Sequence, residues 1–209
     1  MFNFMSPDMF YRIPALLISI TIHEFSHAKA ADVLGDPTPR LSGRLTLNPI
    51  AHLDPLGLLV LWIAKFGWAK PVPVNPRYFD SPRRGMILVS LAGPLSNILL
   101  AFISLFILKV GFLSYGSVIM QITSLLLSYN LALAVFNLIP IPPLDGSKIL
   151  SGVLPVKYHL IYSNVETYGP IILLLLIYTG IYKYFLLPVM NLLLFSLDLL
   201  TSLIINIIL

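Results

Sequence analysis

The chain has 209 residues, 57% of them hydrophobic and only 11% charged, with a mean hydropathy of +0.90. A soluble domain carries about 25% charged and about 45–50% apolar residues, so these figures exclude a soluble fold and describe an integral membrane protein. The net charge of +4 does not point to nucleic acid, because the basic residues sit beside apolar segments, where anionic headgroups and the positive-inside bias account for them; the absence of cysteine excludes disulfides and thiolate metal ligands.

The first expected element is a helix opened by Ser6-Pro7-Asp8, with Ser6 as N-cap and Pro7 at the first helical position, and closed by Gly35-Asp36-Pro37. It lacks the basic leader of a secretory signal and is expected to remain in the mature protein. Within this otherwise apolar helix lies ITIHEFSHAKA at 20–30. Ionisable groups at such depth are costly and therefore mark function.

Residues 36–84 have a different character. The alternation in RLSGRLTLN and the PVPVN run predict short strands and turns, and the apolar piece Leu58–Phe66 is too short to span, so it is expected to be re-entrant or interfacial. Arg40, Arg44, Lys65, Lys70, Arg77, Arg83 and Arg84, seven of the 13 basic residues, lie here, which places this loop on the cytoplasmic side. The first helix then runs inward and carries His23, Glu24 and His27 near that face.

Two further spans are expected over Gly85–Phe112 and Ser117–Leu138, the second cut off by IPIPPLDG with Pro140, Pro142, Pro143 and Gly146. Broken backbone at membrane depth is tolerated only where protein or a watery cavity surrounds it. After a polar segment at 157–167, residues 168–209 predict two more spans with a turn near Tyr182-Lys183-Tyr184, or alternatively one long bent element. The expected architecture is an all-α polytopic membrane protein of about five transmembrane helices, with a small β or re-entrant element between the first and second. No stretch is polar enough to fold apart, so residues 1–209 are expected to be one domain.

His23 and His27 stand four residues apart, so both imidazoles leave the same face of a helix, while Glu24 sits about 100° round the axis, within reach of a water on a shared metal. This is the zinc hydrolase pattern H-E-x-x-H. The competing reading, that these are polar residues bonding between helices, explains one such residue better than three at this spacing. A catalytic zinc takes three protein ligands and a water, and the longer pattern with a third histidine fails because position 30 is Ala and position 33 is Val. Glu166 lies in a polar, surface-like stretch. His52, Asp54, His159 and Asp145 remain, with Asp145 the strongest because it follows the break in a span; its competing role is the N-cap of a following helix.

With HEFSH on a membrane helix and NLIPIPPLDG after a later one, the chain resembles the site-2 protease family of intramembrane zinc metalloproteases, in its compact branch. NPIAHLDPLG at 48–57, GWAKPVPVNP at 67–76 and LAGPLSN at 91–97 extend the resemblance over about 20–148. It implies one Zn2+ per chain held by His23, His27 and Asp145, with Glu24 as general base and Asn137 holding the substrate backbone or its oxyanion. It also implies a catalytic core over about 8–150, C-terminal helices over about 168–209, and substrates that are single-span proteins of a prokaryotic membrane. Asn97 is expected to bond across the bundle or to contact substrate, Gly93 and Pro94 to allow close helix packing, and His52 and Asp54 to cap turns or support the site. Two departures from the family are that no internal insertion could hold a PDZ domain, and that no span is expected ahead of the H-E-x-x-H helix. The rival from another class is a metal permease using the same three ligands, which gives Glu24 no role; a silent scaffold is disfavoured because every expected catalytic residue is present.

Overall fold

The computed structural model of the chain describes residues 9–64, 67–111, 113–155, 157 and 159–208. Its helices are α1 (Met9–Val33), α2 (Thr38–Leu41), α3 (Pro55–Ala64), α4 (Pro82–Val110), α5 (Val118–Asn137), α6 (Asp145–Val153), α7 (His159–Thr179) and α8 (Tyr182–Ile208). Ser6-Pro7-Asp8 lies outside the described residues. At its other end α1 stops as expected: Gly35 takes the left-handed conformation at φ 97°, and the Asp36 N–H returns to the Ala31 carbonyl at 2.9 Å. That is the hydrogen bond by which a helix closes its last free carbonyls.

Three helices, α4, α5 and α8, are long and apolar enough to cross a membrane among the described residues. With 25 residues α1 is about 37 Å long, but its polar cluster sets it apart from these. Most of the polar segment at 157–167 belongs to α7, and among the described residues Thr167–Thr179 is an apolar stretch of that helix. The turn between α7 and α8 falls at Gly180, φ 72°, two residues before Tyr182. An all-α membrane architecture is therefore present.

Among the described residues there is no strand, so the expected β element is corrected. RLSGRLTLN winds out of α2 through turns, PVPVN pairs with no strand among the described residues, and a single antiparallel bridge joins Leu53 to Ala69. In PVPVN, Pro71 and Pro73 cannot donate to a ladder, whereas proline-free RLSGRLTLN is turned at Gly43, φ 69°. Side chains do the work instead. Asp36 is buried and accepts the backbone N–H of Thr38 at 2.9 Å and of Asn75 at 2.7 Å; Arg44, also buried, donates to the carbonyls of Ala51 and Lys70. His52 meets the Thr46 carbonyl at 2.8 Å through Nε2, while its own carbonyl accepts the Lys70 N–H. The resulting cap is pinned to the bundle by Phe79, buried with Ala31 and Val89. Only hydrogen at Gly85 admits that ring, since a Cβ there would lie 2.2 Å from it.

In the bundle, α1, α4 and α5 pack on one another, α8 covers the far half of α4 and α5, and α6 lies against α4. The α8 contact is an apolar cluster of Ala101, Leu105, Leu131 and Leu197. At its outer end Lys109 pairs with Asp198 at 2.6 Å and bonds Ser202 at 2.7 Å.

Candidate metal centre

The spacing of His23 and His27 acts as expected. One turn apart on α1, both rings are buried and meet edge to face, with centroids 4.6 Å apart. They face α4 at Gly93, where a Cβ would lie 2.3 Å from His27 Nε2 and 2.6 Å from His23 Cε1. Glycine there is a requirement of the close approach.

Asp145 arrives from the other side. Seven residues, 138–144, turn the chain from the end of α5 back to the same depth, and Gly146 makes the turn possible because a Cβ there would lie 2.2 Å from the Leu138 carbonyl oxygen. Asp145 is the first residue of α6, and Leu144 holds the N-cap position, so the competing N-cap role of Asp145 is not what is seen. Its Oδ2 lies 3.2 Å from His23 Nε2 and 3.0 Å from His27 Nε2, and the two Nε2 atoms are 3.0 Å apart. Lys148, one turn along α6, approaches Asp145 Oδ1 at 3.7 Å.

The protons on the rings can be placed. His27 Nδ1 is 2.7 Å from the Val89 carbonyl, which only accepts, so that nitrogen carries the hydrogen. His23 Nδ1 faces Asn97 Oδ1, while Asn97 Nδ2 donates to the Ser19 carbonyl at 3.3 Å and to Asn130 Oδ1. In the neutral rings both Nε2 atoms then present lone pairs, and with Asp145 Oδ2 three acceptors face one buried point, a donor set that a cation would satisfy. A tetrahedral zinc with ligands at about 2.0–2.1 Å has ligand-to-ligand edges of about 3.3 Å, close to the observed triangle. These three are the metal-capable group among the described residues, and outer hydrogen bonds from the far ring nitrogen, as to Val89 and Asn97, are the usual support of histidine ligands.

Glu24 follows His23 on α1 and is half-buried. Asn137, half-buried in the last turn of α5, donates from Nδ2 to the Leu133 carbonyl at 3.0 Å. Asn97 is fully buried behind His23, with its polar atoms engaged by α1 and α5, so the expectation that it touches substrate gives way to the bonding across the bundle weighed beside it. His52 is fully buried in the cap. Asp54 accepts the N–H of Leu56 at 2.8 Å and of Gly57 at 3.1 Å, and the Trp68 indole at 3.3 Å. Those hydrogen bonds, led by that of Gly57, hold its carboxyl below the usual carboxylate range. The side chains of His159 and Glu166 lie outside the described residues.

Three contributors escape the sequence reading: Ser19, Asn130 and Lys148. A signal existed for two. Ser19, His23 and His27 recur every four residues along α1, and Asn130 is a polar residue set among LLLSYNLALAV, the kind that seeks a partner across helices.

Comparison with known proteins gives a consistent result. The family description "Peptidase family M50" matches residues 113–179, which include Asp145. The chain is 43% identical over 189 residues to "Putative zinc metalloprotease YwhC" of Bacillus subtilis, a match covering 87% of this chain and 86% of that one. It is 38% identical over 140 residues to Rip2 of Mycobacterium tuberculosis, named in the same way, covering 64% of this chain and 53% of Rip2. A zinc metalloprotease of Methanocaldococcus jannaschii is 25% identical over 149 residues, 71% of this chain and 36% of that protein. No solved structure matches the chain.

Proposed function

The chain belongs to peptidase family M50 and is a zinc metalloprotease of the membrane, and from that premise we propose that it hydrolyses a peptide bond within or near the transmembrane helix of single-span membrane proteins. One zinc per chain is held by His23, His27 and Asp145. The observation that carries this reading is the convergence of His23 Nε2, His27 Nε2 and Asp145 Oδ2 within 3.0–3.2 Å of one another. Bound there, zinc supplies Lewis-acid polarisation of the scissile carbonyl and acidification of the attacking water.

The protein's own groups do the rest. Glu24 takes a proton from the water and returns it to the leaving nitrogen, the role of a positioned acid and base. Asn137, turning its amide away from Leu133, holds the substrate backbone or the developing oxyanion. An open apolar groove of about 300 Å3 runs along α1 past Pro14, Leu17, Ile18, Thr21 and Ile22, and is closed on one side by Leu47 and Pro49 of the cap. Its polarity suits a membrane segment, and its upper end adjoins the ligand-bearing turn. A substrate helix has its carbonyls occupied internally, so it must unwind before cleavage. With the basic 36–84 segment in the cytoplasm, five helices cross the bilayer and the site lies toward the cytoplasmic face of a prokaryotic membrane.

The test is a proteoliposome assay with single-span substrates. Glu24→Gln is expected to retain zinc and to lose about 10²–10⁴-fold in cleavage rate. Full cleavage by this variant would remove Glu24 from the mechanism, and equal cleavage of a rigid poly-Leu span and a helix-weakened one would remove the unwinding step.

A further inference from the structure

We propose that Asn130, a residue of α5 that touches none of the three candidate ligands, is a positioning residue for the centre: it sets which end of the Asn97 amide faces His23, and thereby which nitrogen of His23 carries the proton. The inference rests on reading His23 as a metal ligand.

An asparagine amide has nearly the same shape either way round, so its orientation is decided by its partners. The sequence of decisions begins at a group that cannot reverse. The Leu126 carbonyl, one turn earlier on α5, only accepts, and Asn130 Nδ2 lies 2.8 Å from it; the same Nδ2 lies 2.8 Å from Ser19 Oγ. Ser19 Oγ is itself turned to donate to the Ala15 carbonyl at 2.8 Å, which leaves it to accept from Asn130. Asn130 Oδ1 is therefore directed at Asn97 and demands a donor, Nδ2. Asn97 Oδ1 is left for His23, which must meet it with Nδ1–H.

The alternative arrangement is specific and damaging. A reversed Asn97 would donate to His23 Nδ1 and place the imidazole hydrogen on Nε2, the form that free imidazole side chains prefer. That hydrogen would fill the point where three lone pairs meet. Besides Asn130, the one restraint against the reversal among the described residues is the Ser19 carbonyl, at the longer distance of 3.3 Å. Ser19, Asn97 and Asn130 are all fully buried, so no bulk water competes for these groups.

The experiment uses the full chain in lipid nanodiscs. Zinc affinity is measured by chelator competition, and the His23 tautomer of the metal-free protein by 15N chemical shift. Asn130→Leu, which keeps the branched shape and loses both the acceptor and the donor of the amide, is expected to populate the Nε2–H form of His23 and to weaken zinc by about 10–100-fold. Asn130→Asp, whose neutral acid can still donate to Leu126 and accept from Asn97, is expected to keep the wild-type tautomer, and this holds the test open should the Leu variant fail to fold. In an Asn97→Ala background, where no amide is left to reverse, Asn130→Leu is expected to leave the tautomer unchanged. An unaltered tautomer and zinc affinity in Asn130→Leu, loss of the tautomer in Asn130→Asp, or an equal effect in the Asn97→Ala background would each overturn the proposal. A wild-type chain that binds no zinc while Asn130→Leu still shifts the tautomer upholds the relay and removes the metal reading instead.

Discussion

α4 and α5 are shared by two halves of the bundle that are built differently. Where they meet α1 around the site, buried Ser19, His23, Asn97 and Asn130 are joined by hydrogen bonds across three helices, beside the apolar contact of Ala31 with Val89; where they meet α8, buried Ala101, Leu105, Leu131 and Leu197 form an apolar cluster. In lipid, apolar side chains gain little by leaving the tails for each other, so the buried part of the α8 interface holds by packing, with Lys109, Asp198 and Ser202 bonded at its end. The α1 interface is held by directed bonds, each worth on average about 0.6 kcal/mol and at most about 1.7 kcal/mol in such settings. Those are modest energies. What the polar half adds is orientation, because a hydrogen bond has a direction and a leucine contact has none, and a metal ligand set needs its lone pairs aimed.

The difference can be tested by cutting each half in turn, with zinc affinity and stability read separately. The largest effect on zinc is expected from Asp145→Ala, which removes one of three ligands: the loss of affinity should exceed the 10–100-fold typical of a supporting residue, with the helical content unchanged by circular dichroism. Zinc retained at wild-type affinity would move the third ligand elsewhere. Gly93→Ala comes next. Its added Cβ would sit 2.3 Å from His27 Nε2, so the helices must part or the ring must turn, and zinc affinity should drop by about 10-fold or more, within the range for loss of ligand support. The smallest effect on zinc belongs to the apolar half. Leu197→Ala should lower unfolding stability by about 2–4 kcal/mol, read by thermal melting in detergent, and leave the zinc affinity of the folded protein as it was. Loss of zinc in that variant would mean the two halves are one unit and would break the comparison.

How much of this was legible beforehand depends on whether the information was local. The helix through HEFSH, its end at Gly35, the break at IPIPPLDG and the turn near Tyr182 all follow from residues acting on their own backbone, and the structure places each close to its expected bounds. The 36–84 segment reads as strands because alternation is a pattern of side chains, but Gly43 turns RLSGRLTLN at φ 69° and Pro71 and Pro73 withhold backbone donors from PVPVN. Its real architecture hangs on Asp36, Arg44 and His52, whose partners lie up to 39 residues away. Asn97 was half legible: its polarity foretold a partner across the bundle, but only the fold shows it behind His23.

By itself the sequence determined the class of protein, the pairing of His23 with His27 and the presence of a broken span ending in Asp145, because helix pitch and proline chemistry are properties of short stretches. Tertiary structure alone decided that Asp145 Oδ2 comes within 3.0–3.2 Å of both rings. It also decided that Gly93 is the residue that lets α4 close on them, and that Asn130 speaks to His23 through Asn97. These are distances and directions between helices, and they are set by how whole faces pack.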